Sequence, residues 1–178
     1  MCELASSMRT ALTGTPGVGK SSAAALVRSV RTVSVNALAE DSGAITGCDA
    51  QRDSKEVDIE ALGRAAEDIE GDVMYEGHLS HLLRVDLAIV LRCSPKVLKK
   101  RLEAKGWRES KIMENVEAEA VDVILIEALD AVPKVCEIDT TGLPVERVAV
   151  AVEEILAGES EKYPVGHVDW SQEVVDWF

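Results

Sequence analysis

Long apolar runs, paired cysteines and aromatic rings are all scarce in this 178-residue chain. Each shortage removes a class of protein. Residues of the set AVILMFWYC make up 47% of it, yet no stretch approaches the roughly 18 residues needed to cross a bilayer, so a soluble protein with no membrane partner is expected. Cys2, Cys48, Cys93 and Cys136 stand far apart, without C-x-x-C pairs or neighbouring histidines. That argues against a zinc site and against a disulfide framework. The opening MCELASSMR carries an acid near its front and no apolar core of signal length, so a cytoplasmic location with reduced thiols is expected. Internal repeats and low-complexity tracts are also missing. The length suits one compact domain with small insertions.

Bases are in deficit: 32 acids against 19 bases leave a net charge of −13. Such a surface repels nucleic acid unless its bases are gathered in one place. They are gathered. Seven of the bases, Lys96, Lys99, Lys100, Arg101, Lys105, Arg108 and Lys111, lie in KVLKKRLEAKGWRESK, where the local charge is +5. A solvated helix face is one reading of that run; a clamp over a polyanion such as a nucleoside triphosphate is the other.

A phosphate cradle favours the clamp. Gly14, four intervening residues, then Gly19, Lys20 and Ser21 fit G-x-x-x-x-G-K-[ST], between a short apolar run ending at Thr13 and a helix-forming segment starting at Lys20. Glycines let successive N–H groups face one anion, and a helix start adds about half a positive charge. Lys20 is suited to the β and γ phosphates and Ser21 to a phosphate-bound Mg²⁺.

The rest of the chain alternates strand and helix, as a parallel sheet with crossover helices requires. The expected order is strand 9–13, helix 20–30, strand 31–35, a polar insertion from Asn36 to about Val57, and a helix over 58–70. Strands at 72–75 and 87–92 follow, then a basic helix from Ser94 broken at Gly106. A helix over 109–130 comes next, its later part VDVILIEAL apolar almost all round and therefore expected to be buried. Strand KVCEI and helix PVERVAVAVEEILA complete the domain. Beyond Gly158, the final sixteen residues hold Tyr163, Trp170, Trp177 and Phe178, four of the six aromatics. This tail, 159–178, either docks on its own domain or anchors a partner.

Three further features bear on chemistry. Glu76 stands at the carboxyl end of strand DVMY, where ligands of open α/β sheets lie, and a carboxylate there can hold Mg²⁺ through water. His78 either orients an attacking group near the γ-phosphate or is structural, and His81 has the weaker claim. Thr140, Thr141 and Gly142 form a turn suited to a purine edge, or simply a strand-to-helix connection in which Asp139 or a threonine caps the helix after Pro144.

The ordered set TGTPGVGKSS, GHLSHLL, VLRCSP, RLEAKGW, KIMENVEAE, EIDTTG and GHVDW resembles the adenylate kinase isoenzyme-6 family from Met8 onward. The resemblance implies an α/β P-loop NTPase fold: a five-stranded parallel sheet sandwiched by helices, with an NMP-binding segment over about 36–53 and a lid over about 104–114, in a kinase domain spanning 8–158. It implies ATP, Mg²⁺ and AMP as ligands. Gly14, Gly17, Val18, Gly19, Lys20, Ser21 and Ser22 match the ATP loop, with Lys105, Arg108, Thr141 and Gly142 as further nucleotide contacts. Lys20, His78 and Arg101 take the catalytic positions, and Ser21 with Glu76 those of the metal. Two departures stand out. Lys105 occupies the place of a lid arginine, keeping the charge but losing the planar fork, and GHLSH replaces the turn that supplies an acceptor-binding arginine. Arg52, Arg84 and Arg92 are the substitutes on offer. The resemblance also implies ATPase activity and a role in small-subunit ribosomal RNA maturation beside a basic ribosomal protein. An acidic surface of about −18 outside the basic run suits that partner and discourages direct high-affinity contact with nucleic acid. A kinase for another small metabolite shares the same cradle.

Overall fold

In the computed structural model, which describes residues 7–49 and 54–175, the apolar runs become strands and the periodic segments helices. The strands are β1 (Arg9–Thr13), β2 (Arg31–Ser34), β3 (Ile45–Asp49), β4 (Ser54–Val57), β5 (Val73–Glu76), β6 (Leu87–Arg92) and β7 (Val135–Asp139). Five of them form one parallel sheet in the order β2-β5-β1-β6-β7, while β3 and β4 pair as a separate antiparallel hairpin.

The helices are α1 (Lys20–Ala24), α2 (Val35–Asp41), α3 (Ile59–Glu67), α4 (Pro95–Ala104), α5 (Glu109–Ala120), α6 (Val123–Ala131), α7 (Val145–Leu156) and α8 (Ser171–Val175). Strand side chains alternate between faces, so the sheet feeds two cores. Leu12, Met74, Ile89, Leu91, Cys136 and Ile138 pack on one face against residues of α1, α4, α5 and α7. Ala11, Val73, Tyr75, Ala88 and Val90 pack on the other, against α2, α3 and α6. This is the expected sandwiched five-stranded parallel sheet.

The order also fixes where a ligand fits. The chain leaves β1 toward β2 on one side, and leaves β6 toward β7 on the other. A crevice therefore opens between the carboxyl ends of these adjacent strands. Register puts Leu12 level with Glu76 on β5 and with Ile89 on β6, so the loop after β1 lies between both neighbours' carboxyl ends.

Five expectations need correction. The helix from Lys20 stops at Ala24 rather than residue 30, because Leu26 and Val27 donate to carbonyls three residues back and the Arg28 guanidinium takes the Ala25 carbonyl. Tight bonds of that kind close a helix end. The insertion, expected from its sequence only as a polar segment over 36–57, carries most of α2, capped by the Ser34 hydroxyl, and the paired strands β3 and β4. The helix expected over 109–130 breaks at Asp122, whose φ of 60° is a left-handed conformation that Asp tolerates. Its second half is not buried all round: Leu125 and Ala128 face the core, whereas Ile126 and Leu129 are 60% and 49% exposed. Finally, Asp139 accepts from the Thr141 amide at 2.8 Å and closes a turn, and α7 starts behind Pro144 with no side-chain cap.

Candidate active site

The loop after β1 is shaped by what surrounds it. A Cβ on Gly14 would lie 2.3 Å from the Leu91 carbonyl oxygen, and one on Gly17 would meet Leu102 and Leu98 of α4 at 2.7 and 2.9 Å. Both also have positive φ, so any side chain would push the loop off β6 and α4. Gly19 leads into α1, and Lys20 folds back over the loop, donating to the carbonyls of Gly14 at 2.7 Å and Thr15 at 3.1 Å. The residue is only 8% exposed. Burial pulls its pKa down to about 8, against the attraction of Glu76 and Glu119.

Glu76 and Ser21 meet at the loop's mouth. The Ser21 hydroxyl donates to Oε1 of Glu76 at 2.9 Å. A hydroxyl and a carboxylate are hard oxygen donors of the kind Mg²⁺ takes, with phosphate and water completing its shell. Two residues on, His78 is half-buried, its pKa lowered by burial, then by Lys20 and His81. Its ring is thereby kept neutral beside the cradle. His81 is wholly buried: Nδ1 lies 3.0 Å from the Thr13 hydroxyl and Nε2 3.1 Å from Glu127. Because a carboxylate only accepts, Nε2–H donates to Glu127, and Nδ1 of the neutral ring accepts from Thr13. Burial also lowers this pKa, although Glu127 opposes the shift.

Beside the cradle lies a cavity of about 390 Å³ lined by Gly17, Val18, Gly19, Ser22, Arg101 and Lys105, with Thr140, Leu143, Val145 and Val148 among its other walls. Arg101 ties two of those walls together, donating to the carbonyls of Val18 at 3.3 Å and Thr140 at 3.0 Å. Lys105, the C-cap of α4, is exposed at the rim. Thr140 and Leu143, not Thr141 and Gly142, face the cavity, and the Thr141 hydroxyl is engaged in accepting the Ser94 amide at 2.7 Å. Arg108 is exposed at the N-cap of α5, outside the lining.

Two proposed acceptor-binding arginines are elsewhere. Arg84 precedes β6, at the sheet's opposite end, and pairs with Glu67 at 3.2 Å. Arg92 is 1% exposed and spent on an internal ion cluster: Nε donates to Glu119 at 2.8 Å, Nη1 to Glu137 at 2.6 Å, and Nη2 to Asp122. Burial works against its charge, but Glu119, Asp122 and Glu137 together raise its pKa. Arg52 lies outside the described residues.

The cluster reaches the tail, which docks on the domain. The Glu137 amide donates to the Tyr163 carbonyl, the Gly166 amide to Glu137 at 2.8 Å, and the Trp170 ring sits 5.9 Å from the Arg92 guanidinium. Glu173 accepts from the Ser94 hydroxyl and the Lys96 amide at the start of α4. Trp177 and Phe178 lie outside the described residues. Glu119 is the part of this site that residue reading missed, although a signal existed: with Ile112 and Val116 it sits on the apolar stripe of α5, an acid where a hydrophobe belongs. Among the described residues no group of three or more His, Cys, Asp or Glu forms a metal cluster, and no helix is long and apolar enough to cross a membrane.

The chain is similar to known proteins over most of its length. A family described as "AAA domain" matches residues 11–122. The chain is 48% identical over 174 residues to a protein of Archaeoglobus fulgidus named "Putative adenylate kinase", covering 95% of each. Relatives of the same name in Methanocaldococcus jannaschii and Methanothermobacter thermautotrophicus are 36% and 43% identical; the alignments cover 96% and 90% of this chain, and 97% and 95% of theirs. Among solved structures, thymidylate kinase from Candida albicans superposes with a TM-score of 0.53 at 11% identity, over 86% of this chain and 92% of that one. That likeness is one of fold.

Proposed function

The chain belongs to the archaeal family of those adenylate kinase-named relatives, and on that premise we propose that this nucleotide kinase transfers the γ-phosphate of MgATP to AMP. The observation that carries the reading is the Ser21–Glu76 hydrogen bond at the mouth of the glycine loop, beside the buried Lys20 ammonium. A metal dyad and a phosphate-seeking cation converge where a helix begins.

In this reading the amides of residues 14–22 cradle the phosphates, and Lys20 turns from the Gly14 and Thr15 carbonyls to the terminal phosphoryls, stabilising the charge that spreads there in the loose transition state. Ser21 and Glu76 would hold Mg²⁺, directly or through water, and the ion would supply positive charge against the phosphates. The cavity between α4 and the Thr140 turn takes the base, with Arg101 setting its width. Lys105 and Arg108 supply positive charge from residues 104–114, the end of α4 and the first half of α5, which act as the lid. In this reading neutral His78 orients the acceptor oxygen. Residues 36–53 form the acceptor side.

The test is an assay with MgATP plus AMP beside calorimetry with MgATP alone. Stoichiometric ADP formation supports the reading, and absence of any ATP binding ends it. ATPase activity and a role in small-subunit maturation form a second reading, supported by the acidic surface and by the exposed apolar side chains of Val121, Ile126 and Leu129. Slow hydrolysis stimulated by a basic ribosomal protein, without phosphate transfer to AMP, is its distinguishing result.

A further inference from the structure

The buried carboxylate of Glu119 connects parts of the molecule that the chain keeps far apart. It lies in the last turn of α5, the helix whose first half belongs to the lid, and is 3% exposed. Oε2 accepts the hydroxyl of Thr15, in the glycine loop, at 2.5 Å. Oε1 accepts Nε of Arg92 at 2.8 Å and the Cys93 amide at 3.1 Å. Thr15 is itself 2% exposed, and its carbonyl receives both the Lys20 ammonium and the Val18 amide. One residue of the cradle is therefore gripped through its side chain by the lid helix and through its backbone by the phosphate-binding lysine.

A carboxylate buried this deeply is costly unless every lone pair is used. Here its partners are a guanidinium, a backbone amide and a hydroxyl, which leave it little freedom to move. The grip on Thr15 is charge-assisted and directional, the kind of bond that sets backbone position rather than merely filling space.

We propose that Glu119 is a positioning residue for donor-nucleotide binding: anchored by Arg92, it holds Thr15 so that the glycine loop keeps its phosphate-ready curl and moves as one body with the lid helix. Glu119 does not touch the nucleotide. It acts through Thr15. This deepens, and rests on, the reading of the loop as the ATP site.

The experiment compares Thr15→Val, Thr15→Ser and Glu119→Gln in the full chain. Valine keeps the shape of threonine but removes the donor, leaving an unpaired buried acceptor, which costs roughly a tenfold change in an equilibrium. MgATP affinity is expected to fall about tenfold in Thr15→Val and Glu119→Gln, with the AMP KM unchanged, while Thr15→Ser restores the wild-type value. The Thr15→Val/Glu119→Gln double variant should lose little more than either single one, because both remove the same hydroxyl-to-carboxylate contact. Tight ATP binding by Thr15→Val, or equal weakening for ATP and AMP, overturns the proposal.

A second readout needs no nucleotide. Amide hydrogen exchange should quicken together in residues 14–19 and 116–121 of Thr15→Val, and acceleration in one segment alone also overturns the coupling. If wild-type protein binds no ATP but the two segments still open together, the functional reading fails while the mechanical link stands.

Discussion

Lys20 and Arg92 are both buried cations near the carboxyl ends of the central strands, yet their surroundings are opposite. Lys20 touches two neutral carbonyls of its own loop, and its pKa is drawn down to about 8 by burial. Arg92 touches three carboxylates and lies under a tryptophan ring, and its pKa is raised. The lysine is under-partnered, so an arriving phosphate offers it a better partner than it has. The arginine is over-partnered, so nothing that arrives can compete for it. A working cation and an architectural one are told apart by what already satisfies them, not by burial.

The strongest way to break that contrast is to remove the architectural member. Arg92→Leu leaves Glu119 and Glu137 buried without their cation, and is expected to cost about 3–5 kcal/mol of stability by urea denaturation. A loss below about 1 kcal/mol would show that the cluster does not need its guanidinium. The opposite pattern is expected of Lys20→Ala. Charge-assisted bonds are worth about 1.5–3 kcal/mol, so turnover of MgATP should fall at least about tenfold while the denaturation midpoint barely moves. Undiminished turnover would contradict the role given to the lysine.

Smaller effects sharpen the comparison at its edges. Trp170→Ala removes the ring over Arg92, a contact worth about 0.5–1 kcal/mol. The indole N–H is buried with no partner among the described residues, which offsets part of that value. Faster exchange of the Gly166 amide, bonded to Glu137, would report a loosened tail; unchanged protection there would mean the ring does not hold it. The smallest expected effect concerns His81. Its folded pKa lies below the unfolded value of roughly 6.5, so its contribution to stability is complete above that value and is lost as pH falls through the folded pKa. Wild type should therefore lose more stability than His81→Gln on going from pH 7 to pH 5. Parallel pH curves would exclude the histidine as the source.

The strands were legible because they are apolar runs bounded by polar turns, and the cradle because Gly14, Gly19, Lys20 and Ser21 have a spacing set by backbone geometry alone. Glu76 was legible too, since the end of a parallel strand is a fixed place. Arg92 was not. In LAIVLR it is one charge at the end of a buried strand, equally suited to a ligand or to an ion cluster. Its partners Glu119 and Glu137 lie 27 and 45 positions further along. The exposed side of α6 was misjudged for a related reason, because an apolar sequence states what can be buried and not which face the sheet has room to cover.

Composition alone determined the excess of acid, a sum over residues, and local order along the chain determined the alternation of strand and helix and the phosphate loop, which depend on residues within a few positions of one another. Tertiary structure alone decided which cation is under-partnered and which is locked, and that a threonine and a glutamate 104 positions apart share one proton-bearing contact. The reason is physical: pairing energies depend on distance and desolvation in space, and the chain sets those only after the sheet has brought its distant ends together.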